Sequence, residues 1–177
     1  MAKIHHRRAN KAYPESGIEK GDMYYFAQIK TGPRSSRTIR QKTPIRPSQM
    51  TTSEYLQGVY AIRERAETFS SLDDYEGVPD ELREIAERER EKFENMPEGL
   101  QQGDTGQMLE ERASSCDEIA DRIEEIINEW DADEARTEVL AEEEGEDLTE
   151  DEIDEKVEEK RETLAEDCGD ALNELLT

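Results

Sequence analysis

The chain has 177 residues, a formal net charge of −24, and 47 Asp and Glu against 23 Lys and Arg. Leu, Ile, Val and Phe fill 30 positions, and a chain so poor in strong apolar residues and so charged borders on compositions that do not fold at all. A thick globular core is excluded, and a thin helical assembly with a solvated surface is what remains.

The charge is not evenly spread. Residues 1–50 carry 11 Lys or Arg and 3 acids, net +8, whereas residues 51–177 carry 12 and 44, net −32. High-salt adaptation would not spare the first fifty residues, so the asymmetry predicts two different jobs. The organisation read from this is a basic hairpin and extended connector over 1–50, a helical bundle over 51–130, and an acidic helical extension over 131–177. No apolar segment follows the basic start Met1 to Arg8, so it is not read as a secretory signal, and nothing is apolar enough to span a bilayer. Cys116 and Cys168 do not form a secreted-type disulfide framework, and a reducing, cytoplasmic setting is expected.

In chain order, the first element is a β-hairpin. Met23 to Lys30 is an aromatic-rich run after the turn Gly21-Asp22, Thr31-Gly32-Pro33-Arg34 is a second turn signal, and Ser35 to Lys42 returns as partner strand. Pro44 and Pro47 make the following segment an extended connector. A lone hairpin is marginal in water, so it needs support. Thr51-Thr52-Ser53-Glu54 has capping-box spacing and opens a first helix to about Ser70, with Tyr55, Val59, Ile62, Ala66 and Phe69 inward. Pro79 opens a second helix that buries Leu82, Ile85, Ala86 and Phe93 and stops before Pro97; residues 97–103 read as a loop.

The longest pattern starts at Asp104 or Thr105. Leu109, Cys116, Ile123 and Trp130 recur every seven residues, with Ile119 and Ile126 between them, which is a coiled-coil-like seam. With few apolar partners elsewhere, this seam predicts self-association. After an acidic break over residues 142–147, Thr149-Glu150-Asp151-Glu152 caps a last helix with Ile153, Val157, Leu164, Cys168, Leu172 and Leu175 inward. The fold class is therefore α+β: a short N-terminal β-hairpin followed by a mainly α-helical bundle with a coiled-coil-like helix.

Few residues suggest chemistry. His5, His6, Cys116 and Cys168 lack any short chelating spacing, and no histidine after His6 can serve a di-iron bundle. Asp131, Asp133 and Glu142 match three positions of a calcium loop, but Ala135 and Arg136 stand where a ligand and the turn glycine belong. No phosphate loop, activated nucleophile or paired acids in an apolar setting is found, so no cofactor, no metal and no enzyme activity is expected. The informative feature is the basic unit. Lys30, Arg34, Arg37, Arg40, Lys42 and Arg46 fall along one hairpin and its connector, with Tyr24 and Tyr25 among them, a combination that neutralises phosphates and stacks on bases. The competing readings are that these cations pair with acids of the same chain, and that the rings are simply hairpin core.

Three stretches, Lys11 to Tyr25, Arg46 to Tyr55 and Asn95 to Gln107, resemble a family of small accessory proteins of tailed bacteriophages and related viruses. The likeness covers residues 1 to about 125. It implies a viral accessory protein working inside the host cell, and it brings no site residues with it. Together these readings predict a viral accessory factor that touches nucleic acid or a nucleoprotein through its basic unit, restrained by its acidic helices. The alternatives are an acidic mimic of nucleic acid that inhibits a host defence or nucleic-acid-binding protein, and a virion or assembly component; a host or viral protein partner would suit either. No membrane partner is expected.

Overall fold

A computed structural model describes residues 3–142 and 148–175. It is an α+β structure with a three-stranded antiparallel sheet at the N-terminus and a helical bundle after it. The packing divides the chain into two compact units, Met1–Ala61 and Ile62–Thr177. The packing boundary therefore lies eleven residues beyond the charge boundary and leaves most of one helix with the sheet.

In the first unit, β1 (His5–Arg8), β2 (Met23–Lys30) and β3 (Ser36–Gln41) lie in that spatial order. The hairpin of β2 and β3 is the predicted one; β1 is an addition, because His5-His6-Arg7-Arg8 is wholly exposed and carries no alternating apolar signal. Its pairing supplies part of the support that a lone hairpin lacks. His5 stands opposite Phe26 and Arg7 opposite Tyr24, while Phe26 faces Arg40 and Ile29 faces Arg37. Directly opposed residues share a face. One face thus carries His5, Arg7, Tyr24, Phe26, Lys30 and Arg40, and the other His6, Arg8, Tyr25, Ala27, Ile29 and Arg37.

The link between β1 and β2 folds against the first of these faces. Tyr13 and Ile18 exchange backbone hydrogen bonds of 2.7 and 3.2 Å around a 3-10 turn at Pro14–Ser16, and Gly17 closes that turn with φ of 61°. This arrangement packs Ile18 and Ala9 on Tyr24, with Tyr13 and Phe26 at the margin. After β3 come a short α1 (Pro47–Met50) and α2 (Glu54–Ala66), in which Tyr55 and Val59 are buried. The capping expected of Thr51 falls to Ser53 instead: its Oγ accepts from the Leu56 N–H at 3.4 Å, and Thr51 Oγ1 accepts from the Ser53 N–H at 3.1 Å.

The second unit is built on α3 (Val78–Glu94) and α5 (Asp104–Glu129), joined through the short α4 (Glu98–Gln101). Pro79 lies in the first turn of α3 with Asp80 and Glu81, which favour the positive end of the helix dipole. Leu82, Ile85 and Ala86 are buried as their spacing predicts, and Glu89 joins them. Two helices complete the bundle: α6 (Ala132–Glu142), which the sequence reading did not separate, and α7 (Glu150–Glu174). Asp131 starts α6, its Oδ1 accepting from the N–H groups of Asp133 and Glu134 at 2.8 and 3.0 Å. The predicted capping box opens α7, the Thr149 N–H donating to Glu152 at 2.8 Å. Residues 143–147, most of the predicted acidic break, lie outside the described residues.

Cys116 and Cys168 are buried thiols. Burial, helped by the charge of Asp167, pushes the Cys168 thiol up to about 11 from an ordinary value near 9. Both thiols should ignore an aromatic disulfide reagent in the native protein and report as two on unfolding. Because folding raises this pKa, the protonated thiol's contribution is complete below pH 9 and is lost as pH climbs through 11. Chemical denaturation across that window should show stability falling by about 2 kcal/mol.

Candidate nucleic-acid interface

The basic residues singled out from the sequence fall into four settings. Lys30 and Arg34 share a notch at the β2–β3 turn with Gln28, Ser35 and Ser36. Arg37 and Arg40 line an open groove of about 690 Å³ along the free edge of β3, together with Ser16, Thr38, Gln57 and one carboxylate, Glu15. Lys42 is set apart, because its Nζ holds Asp22 at 2.8 Å. That contact raises the Lys42 pKa and, with the Glu19 backbone N–H, lowers that of Asp22. Arg46 is exposed before α1, and Arg37 donates to the Gln49 carbonyl at 2.7 Å.

The rings behave differently from the expectation. Tyr24 is 1% exposed and cannot stack on a base; it is core, and its hydroxyl accepts from Arg7 Nε at 2.9 Å. Tyr25 is half-buried with its ring stacked on His6 at 4.4 Å. What the sheet builds instead is a layer of cations over rings. The Arg7 guanidinium lies 4.5 Å from the Phe26 centroid and 5.6 Å from that of Tyr24, while Arg40 lies 4.8 Å from Tyr13 and 5.5 Å from Phe26. Each such contact is worth about 0.5–2 kcal/mol and fixes a guanidinium without neutralising it. Burial alone would raise the Tyr24 phenol, yet its bonds to Tyr13 and Arg7 and the charges of Arg7 and Arg40 leave it below its ordinary value. The hydrogen bonds and the two guanidinium charges together offset the desolvation of this buried phenol. Arg7 is not legible without β1, since only once His5 is paired with Phe26 does period 2 place Arg7 beside Tyr24, and Tyr13 is placed by its bridge to Ile18.

Pairing sharpens the contrast between the units. Residues 1–61 hold 11 basic and 4 acidic side chains, residues 62–177 hold 12 and 43. In the helical unit Arg65, Arg83, Arg90, Arg122, Arg136 and Arg161 all hold carboxylates, as do Lys92, Arg112 and Lys160. In the sheet unit, Lys42 is the one cation that does so among the described residues.

The predicted self-association seam is largely covered from within the chain. Leu109, Cys116, Ile119 and Ile123 are buried where α5 packs on α3 and α7, and Ile126 and Trp130 are half-buried. His5 and His6 lie on opposite faces of β1 and do not converge on one ligand position. No helix among the described residues is long and apolar enough to cross a membrane. Comparisons with protein-family models, with curated proteins and with solved structures find no match to this chain.

Proposed function

We propose that the protein binds nucleic acid through the phosphate backbone, using the cations of its sheet unit. The observation that carries this reading is that Arg7, Arg34, Arg37, Arg40 and Lys30 hold no carboxylate among the described residues, in a chain that pairs most of its other cations. Guanidiniums held on rings and left charged are pre-organised donors for phosphate oxygens. Since the rings beneath them are core or already stacked, the contact is to phosphates rather than bases, and it positions the protein without reading sequence. The tethered acidic unit competes for the same cations at high effective concentration, which restrains affinity at low salt.

The test is anisotropy of a labelled duplex oligonucleotide with the full-length protein. Four to six phosphate contacts give a slope of log affinity against log salt of about −4 to −5, so binding at about 50 mM salt should weaken more than 100-fold by about 200 mM. Lys30→Glu with Arg34→Glu, both at the exposed turn, should abolish binding with the fold intact. Lys42→Gln with Asp22→Asn should change it little, because the two charges already neutralise each other. Absence of binding at about 50 mM salt would sink the reading.

A further inference from the structure

The helical unit contains a groove that the nucleic-acid reading does not use. It encloses about 360 Å³ between the end of α5, the start of α6 and the middle of α7. Trp130 and Leu164 give it apolar lining, Glu129, Asp131, Glu134 and Glu138 supply carboxylates, and Lys160, whose charge Glu138 takes up, is the one cation along it. Two of these carboxylates have duties: Asp131 caps α6, and Glu138 holds Lys160 at 3.1 Å. Glu129 and Glu134 hold no cation among the described residues.

We propose that this groove takes an arginine side chain from a basic segment of a partner protein. The guanidinium lies flat on Trp130, and its N–H groups donate to Glu129 and Glu134. A wholly apolar ligand would gain the apolar lining but desolvate the carboxylates, and an anion is repelled. A planar cation satisfies both surfaces, and a guanidinium does so better than an ammonium because it stacks and forks at once. The volume lies at the small end of ligand sites, roughly 300–1,000 Å³, which suits a side chain or two rather than a large cofactor.

Trp130 is the only tryptophan in the chain, so intrinsic fluorescence reads this groove directly. The full-length protein is titrated at 0.15 M salt with a synthetic Gly/Arg-repeat peptide and with its Gly/Lys counterpart. The expected result is a saturable change in Trp130 emission at one peptide per chain, with the lysine peptide weaker by about tenfold. Glu129→Gln with Glu134→Gln should weaken the arginine peptide about tenfold, while Glu84→Gln with Glu87→Gln on the exposed side of α3 should not. Equal weakening by both pairs would mean diffuse charge attraction and would overturn the proposal. So would an unchanged spectrum, or a spectrum that shifts with protein concentration alone, which would put a second copy of this chain in the groove.

Discussion

Replacing Lys92 and Arg112 together by alanine should destabilise the helical unit by about 3 kcal/mol or more, although both side chains reach the surface. The reason is Glu89. It lies 2% exposed in the stripe formed by Leu82, Ile85 and Ala86, and its two carboxylate oxygens are held by Lys92 at 2.7 Å and Arg112 at 3.5 Å. Taking away one partner leaves the other; taking away both leaves a buried charge without compensation. The triple variant that adds Glu89→Leu should recover most of the loss, since a well-packed apolar side chain at such a site is often as good as the ion pair. Urea denaturation of the double and triple variants gives the comparison. A double variant that costs under about 1 kcal/mol would show that the carboxylate finds water once its partners go.

Glu89 also shows how far the sequence could be read. Positions 82, 86, 89 and 93 form one helical stripe, so spacing places residue 89 inward, and the two cations that make a glutamate tolerable there come from three residues along α3 and from α5. Spacing is local, and the partner on α5 is not. The same division holds elsewhere. The capping box at Thr149 and the strands flanking the Gly32-Pro33 turn were legible because short-range hydrogen bonds and turn chemistry determine them. The strand at His5–Arg8 was not, because an exposed edge strand owes its existence to a partner 15 to 21 residues away. Helix α6 was not separated within the acidic extension, although Asp131, the first residue of the rejected calcium-loop match, is its N-cap. At the candidate interface the excess of cations could be counted from the sequence. Their separation into a turn notch, an edge groove and a layer over rings depends on strand register, and so does the burial of Tyr24.

Gly106→Ala should destabilise the protein by about 2 kcal/mol, whereas Gly99→Ala should be neutral or stabilising by up to about 1 kcal/mol. Helix propensity alone predicts a gain at both positions, since both glycines lie in helices. The surroundings decide the sign. A Cβ on Gly99 meets nothing within 4 Å, whereas one on Gly106 would run into the Gln101 carbonyl oxygen and stand 2.6 and 2.8 Å from its carbonyl carbon and Cα. These are backbone atoms, so no rotamer change relieves the clash. The loop has little room to retreat, because Gln101 Nε2 donates to the carbonyls of Phe93 and Met96 at 3.1 and 3.0 Å, and the Leu100 N–H donates to Pro97 at 2.7 Å. Thus Gln101 ties up carbonyls at and just beyond the end of α3 while its own backbone rests on the first turn of α5. The segment Asn95 to Gln107, one of the three stretches that carry the sequence resemblance, is the connection that sets α3 against α5, and the roles of Gln101 and Gly106 in it follow from backbone contact. Thermal denaturation of the two alanine variants is the measurement. A Gly106→Ala protein as stable as the parent would mean that α4 can shift away, and would remove the steric account of this turn.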